Sequence, residues 1–137
     1  MGSMERYLVV DMDRVLNESS HGKTALASLS GLLKRAEAER SSLNEAAKKA
    51  VTEKARRMAG DALAEHSART RRDFEKRQGA LRDALVGLAS KVVAQLAKEM
   101  GASLVIERRA ALVFDPTADV TDEVIRRVDA VKLSSGR

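Results

Sequence analysis

Apolar and polar positions divide the chain into three kinds of stretch. Residues 6–12, RYLVVDM, are a short run of apolar and β-branched side chains, which predicts a buried strand. A polar passage with Asn17, Ser19, Ser20 and Gly22 follows, with Gly22 expected as a bend leading into a helix. From about Lys23 to Met100 the spacing turns helical. Leu26, Leu29, Leu33, Ala36, Leu43, Ala47 and Ala50 recur at intervals of three, four or seven, and so do Phe74, Leu81, Leu85, Leu88, Val92 and Leu96. One helix of that length would span about 115 Å, so a break is expected. Gly60-Asp61 supplies a glycine C-cap and then an Asp N-cap, near the middle of the stretch. It predicts an antiparallel hairpin roughly 55 Å long with its tip near Gly60. Ser42 with Glu45 is a rival capping box, but would give very unequal arms.

After Gly101, SLVIE and AALVF predict two strands joined as a hairpin across Arg108-Arg109, the second stopped by Pro116. ADVTDEVIRRVDAV then predicts a helix capped by Thr121 or Asp119, with Val124, Ile125 and Val128 on its buried face. The expected fold is therefore α+β, mostly α: a long antiparallel helical hairpin arm projecting from a small β-containing body. Residues 1–22 and 85–137 would form the body and 23–84 the arm. Three short strands and one helix make too small a core to stand alone, which predicts oligomerisation through the body. The arm's seam runs from Leu and Val near its base to Ala, Ser and charge toward its tip, so the tip should be mobile.

Composition sharpens this picture. Only three residues of 137 are aromatic (Tyr7, Phe74 and Phe114) while 33% are charged, a balance suited to long helices. The net charge of +5 is concentrated: residues 34–77 hold 13 Lys/Arg against 8 Asp/Glu, which accounts for all of it. Nucleic acid, an anionic membrane surface or acidic proteins could answer such a segment. No stacking aromatics interleave the arginines, which argues against specific nucleic-acid binding. The chain has no cysteine, which suits an oxidising compartment.

Two stretches invite a catalytic reading. VVDMDRV resembles the first motif of haloacid-dehalogenase-type phosphatases, in which one carboxylate attacks phosphate and the next serves as acid and base. That chemistry needs a parallel sheet of several strands and a further acidic pair for magnesium, and no βαβ unit is visible. Asp11 and Asp13 are instead expected as turn or capping residues at the strand's end. A phosphate loop ending in Gly22-Lys23-Thr24 would need glycine at 17, where Asn17 stands. His21 and His66 lack ligand-spaced partners and are expected on the surface. No enzyme activity, metal or cofactor is expected.

Both ends of the chain resemble one family. DMDRVLNESSHGKTAL is similar to the N-terminal segment of Skp/OmpH-like periplasmic chaperones, and LVIERRAALVFDPTADVTDEVIRRVDA to their C-terminal segment, with its Asp-Pro-x-x-Asp-Val-Thr string. The central arm matches in character only, and is about two heptads shorter than in the best-known member. The resemblance implies a homotrimer whose arms surround a cavity, and an ATP-independent holdase for unfolded outer-membrane proteins in the periplasm. Met1-Gly2-Ser3 reads as an appended start, consistent with a replaced secretory signal. On this reading clients meet apolar arm residues Leu29, Leu33, Leu43, Met58, Leu63 and Phe74, and basic ones Arg56, Arg57, Arg69, Arg71, Arg72, Lys76 and Arg77. Leu8, Val9, Val10, Leu104, Val105, Ile106, Leu112 and Val113 would form the oligomer interface. Anionic lipid or lipopolysaccharide surfaces are further partners the basic arm would suit. A structural stalk or coiled-coil scaffold is the alternative; it would require a continuous seam.

Overall fold

The computed structural model describes residues 6–132. Its elements run β1 (Arg6–Val10), α1 (Met12–Glu18), α2 (Ser20–Lys48), α3 (Glu53–Glu99), β2 (Ala102–Glu107) and α4 (Thr121–Ala130), with short 3-10 turns at Arg108–Ala110 and Pro116–Ala118. The fold class is as expected, mostly helical with a small sheet. The chain divides into two compact units, one from the residues up to Ala25 and from Arg82 onward, the other Leu26–Leu81.

The terminal unit holds the core. β1 and β2 pair in parallel, Val9 opposite Ile106, and Val9 also bridges to Asp119 on its other side. Val10, Val15, Leu85, Ala89, Val92, Leu96, Val124 and Val128 pack as one buried cluster from β1, α1, α3 and α4. Burying each large side chain of this kind contributes roughly 1.5–3 kcal/mol. Gly101, at φ +67°, ends α3 in the left-handed conformation that glycine adopts without steric cost and turns the chain into β2.

Two expectations for this unit are corrected. The strand pair 103–107/110–114 does not form, because the chain leaves the sheet at Glu107. The Glu107 carboxylate accepts from its neighbour's Arg108 N–H at 3.0 Å and from Met12 N–H at 3.1 Å, starting a tight turn. Residues 111–114 have no strand partner, and the Arg108 guanidinium lies over the Phe114 ring, 5.0 Å from its centroid. Gly22, in turn, is no bend: it lies inside α2 and is buried. A Cβ there would stand 1.8 Å from the Leu16 carbonyl oxygen, so the close approach of α1 to α2 demands glycine.

The hairpin unit is built from the α2 and α3 segments within Leu26–Leu81. Its turn is at 49–52, a correction to the tip expected near Gly60, which lies inside α3. The local chemistry explains the shift. Lys48 and Lys49 sit at the C-terminus of α2, where cations complement the helix dipole. Thr52 Oγ1 accepts the Ala55 N–H at 3.0 Å as a helix N-cap, with Glu53 in the first turn. A side-chain cap outweighs a glycine, whose cost inside a helix is only about 1 kcal/mol.

Candidate functional site

The Asp-x-Asp pair has structural work. Asp11 caps α1, its carboxylate accepting the Arg14 N–H at 3.2 Å, while Asp13 faces Arg109 at 3.8 Å. No metal-holding group of three His, Cys, Asp or Glu exists among the described residues.

The two terminal segments, each of which resembles its own counterpart in one family, meet in the terminal unit through a set of caps. Asp115 accepts from Thr117 N–H and Oγ1, and Asp119 accepts from Thr121 N–H at 2.9 Å and Oγ1 at 2.6 Å. The buried Thr121 hydroxyl in turn accepts the Asp11 N–H at 2.9 Å. Ser19 Oγ accepts the Gly22 N–H, Ser20 donates twice to Asp129, and His21 Nε2 meets the Val131 carbonyl at 2.6 Å. Ser20, His21, Thr121 and Asp129 thus tie β1, α2 and α4 together, while Asp11, Asp115 and Asp119 cap the turns between them.

Ion pairs reinforce the ties. Arg14 reaches Glu18 at 3.0 Å and Asp122 at 2.7 Å, and hydrogen bonds from its guanidinium hold the Glu18 carboxyl below its usual range. Arg127 joins Glu99 at 2.7 Å to Glu123 at 2.8 Å, and Arg126 also pairs with Glu123. Hydrogen bonds from Arg126 and then Arg127 push the Glu123 carboxyl down to about 2.

The hairpin unit contrasts with this. Leu29 is its one buried apolar side chain. Leu43, Leu63 and Phe74 are half-buried, Leu33 is 46% exposed and Met58 62% exposed. Leu33 and Phe74 share a groove of about 320 Å³ with Ala36, Arg40 and Arg71; Leu43, Met58 and Leu63 do not enter it. All seven expected basic residues, Arg56, Arg57, Arg69, Arg71, Arg72, Lys76 and Arg77, are exposed. Arg72 pairs with Glu65 at 3.4 Å, and Arg77 donates to Ser28 Oγ at 3.0 Å across the hairpin. Among the described residues Arg56, Arg57, Arg69, Arg71 and Lys76 have no carboxylate within 4.0 Å. The surface is thus cationic, with thin apolar strips between the charges.

His66 was expected on the surface and is instead 4% exposed, its Nε2 2.9 Å from the Ala36 carbonyl of α2. A signal for it exists in the sequence: Ala59, Leu63, His66, Thr70 and Phe74 follow one three-four register of α3. Val51, 82% exposed within the turn, and Leu26, 54% exposed, also join the apolar surface unforeseen.

The expected interface residues of the body separate into two sets. Leu8, Val9 and Val10 are at most 2% exposed within the single chain, a correction, since such side chains have no surface left for a partner. Val105 and Ile106 are half-buried, and Leu104, Leu112 and Val113 are exposed. Leu104, Leu112 and Val113 line a groove of about 550 Å³ with Tyr7 and Phe114, and Val105 and Ile106 line another of about 490 Å³ with Met12, Val86 and Val93.

Comparison with known proteins agrees with this architecture. The family profile "Outer membrane protein (OmpH-like)" matches residues 6–128. No curated protein gives a significant match to the sequence. Among solved structures, an OmpH-like chain assigned as an outer membrane chaperone, from Caulobacter crescentus CB15, superposes with a TM-score of 0.69 at 17% identity, over 95% of this chain and 87% of that one.

Proposed function

The chain belongs to the OmpH-like outer membrane protein family, and from that premise we propose that it is an ATP-independent holdase chaperone for unfolded outer-membrane proteins. The observation that carries this reading is the hairpin's makeup: 56 residues, Leu26–Leu81, that bury one apolar side chain and leave Leu33, Met58 and Val51 open among unpaired arginines. Small, weakly packed apolar contacts touch many sequences loosely, and exposed positive charge draws acidic segments from a distance. Binding rather than catalysis is the task. Anionic lipid or lipopolysaccharide surfaces are secondary partners for the same charge, and the periplasm is the compartment in which such clients occur unfolded.

The exposed Leu104, Leu112 and Val113, which line one groove, and the edge of β2 that has no strand partner among the described residues support self-association. The assembly we propose is a homotrimer, whose hairpins together enclose the client. A stalk-type scaffold would require a continuous buried seam, and Leu29 with His66 is too little to make one.

The test is aggregation of an unfolded β-barrel client, followed by light scattering without nucleotide. Near-stoichiometric protein should keep the client in solution. Reversing charge at Arg69, Arg71, Arg72, Lys76 and Arg77 should slow capture and weaken its salt dependence, because exposed charges act through screened attraction. If the parent protein leaves aggregation unchanged at both low and moderate salt, the chaperone reading is wrong. Scattering mass decides the assembly: Leu112→Asp with Val113→Asp should dissociate the trimer, both positions being exposed in the single chain.

A further inference from the structure

At the level of His66 the hairpin unit has two unlike sides. On α3, helical spacing sets Ser67, Arg71 and Phe74 to one side of the ring and Arg69 and Asp73 to the other. A groove opens on each side, with the buried His66 as a wall common to both. One groove, of about 360 Å³, is lined by Arg35, Glu39, Arg69 and Asp73, two charges of each sign. The other, of about 320 Å³, joins Leu33 of α2 to Phe74 of α3. Ala36 and Ser67 between them are small and leave the hollow unfilled.

Ring and rim together say what the second groove fits. Phe74 is the one aromatic residue of Leu26–Leu81, and it is only half-buried, while Leu33 is 46% exposed. Ligand pockets run from about 300 to 1,000 Å³, so this one is small and suits a single ring-sized side chain. An entering ring buries apolar area against Leu33 and finds an offset or edge-on partner in Phe74. The rim supplies charge. Arg40 is drawn to Glu37 at 3.6 Å, whereas Arg71 has no carboxylate within 4.0 Å among the described residues. Its planar guanidinium is left for a carboxylate from outside, which it meets with two parallel hydrogen bonds.

We infer that the Leu33–Phe74 groove is a subsite for an aromatic side chain that adjoins a carboxylate, so that the hairpin grips unfolded chains at such points instead of evenly along its length. This rests on the holdase reading for its partner and narrows it. Strands of outer-membrane barrels end in girdles of aromatic side chains beside polar loops, so an unfolded one offers many segments in which a ring stands next to charge. The hairpin also acquires a front and a back. The groove on the other side of His66 matches its cations with carboxylates in number and is lined by no aromatic residue.

The experiment titrates a short Gly/Ser peptide, carrying one para-fluorophenylalanine followed by Asp, with the full-length protein and follows the fluorine NMR line. The line should shift and broaden. Asn in place of the peptide's Asp should weaken binding roughly two- to fivefold, the range an exposed ion pair supplies. Arg71→Gln should erase that difference, while Arg35→Gln, in the charge-balanced groove, should leave it. Phe74→Ala should weaken binding roughly tenfold. Ser67→Phe, from an exposed position on the groove's wall, should fill the hollow with the chain's own ring and exclude the peptide as effectively. Should Phe74→Ala lose helicity by circular dichroism, Ser67→Phe decides alone. A line that ignores the parent protein, binding that survives Ser67→Phe, or dependence on Arg35 in place of Arg71 overturns the subsite. So does a fall in scattering mass in Ser67→Phe, which would make a second copy of the chain the occupant. Peptide and client report separately. A protein that holds the β-barrel client yet leaves the fluorine line unmoved overturns the subsite alone; one that binds the peptide yet lets the client aggregate overturns the holdase reading alone.

Discussion

The terminal unit and the hairpin unit use the same helical vocabulary for opposite ends. In the first, Val15, Val124 and Val128 are fully buried and the Asp11 carboxylate caps α1; in the second, Leu29 and His66 are all that is buried. The lesson is that helical periodicity marks which face turns inward, and says little about how much that face buries. A three-four register of Ala, Ser and Thr folds a hairpin while leaving it loosely packed, and loose packing is what a surface for varied partners needs.

The sharpest way to break the contrast is at two glycines. Gly22→Ala should be the most damaging small change in the terminal unit, by about 3 kcal/mol or more, because its Cβ would meet backbone at 1.8 Å. Chemical denaturation read by circular dichroism checks it; a loss under about 1 kcal/mol would show that α1 yields easily. Next comes truncation of side chains. Leu85→Ala, in the terminal core, should cost about 2–5 kcal/mol, while Leu33→Ala, 46% exposed in the hairpin, should cost under about 1 kcal/mol. Equal losses would erase the distinction between the units.

A middle-sized effect tests the caps. Thr121→Val keeps the shape but removes the acceptor for Asp11 N–H and the donor to Asp119, so about 1–3 kcal/mol should be lost. Gly60→Ala should do the reverse. Nothing lies within 4 Å of the added methyl, so helix propensity alone acts and stability should rise by about 0.5–1 kcal/mol. A tip at Gly60 would instead have been damaged.

The smallest effect is acid sensitivity at Glu123. Its folded carboxyl lies near 2 against an ordinary 4.5, held down first by Arg126 and then by Arg127. A depressed carboxylate contributes stability that is present above the ordinary value and is lost as pH falls from about 4.5 toward about 2. The pair is exposed to solvent, so added salt should shrink the effect. Glu123→Gln should flatten the parent's melting temperature across that pH interval; an unchanged slope would assign it to other carboxylates.

Much of this was legible in the residues. β1 declared itself through Leu8, Val9 and Val10, and α4 through the spacing of Val124 and Val128, because local propensity and packing agreed there; the N-cap expected at Thr121 or Asp119 is instead Val120, with no side-chain cap, and Asp119 accepts the Thr121 N–H from just outside the helix. The turn is harder to read: Gly60 has the look of a stop and divides the stretch evenly, whereas Lys48, Lys49 and Thr52 carry the true end signals. Residues 111–114 have the apolar make-up of a strand, and a single chain offers them no neighbour to pair with. For the candidate surface, charge was readable from Arg56 to Arg77, since charged residues on a helical face stay outside. His66 was not, because its burial depends on Ala36 leaving room across the hairpin.

The parallel pairing of β1 with β2 orders events in time. Val9 must wait for Ile106, 97 residues later, so a chain made from its N-terminus carries an unsatisfied apolar strand until β2 has been made. The hairpin's contacts, such as Ala36 with His66, are closer in sequence than the Val9–Ile106 pairing, and contacts of large sequence separation are the slower kind to close. Because the entropy of closing a loop grows by only about 0.6 kcal/mol for each doubling of its length, the segment between the strands is free to lengthen or shorten over evolutionary time. Its length is then hardly limited at all by what the sheet will tolerate.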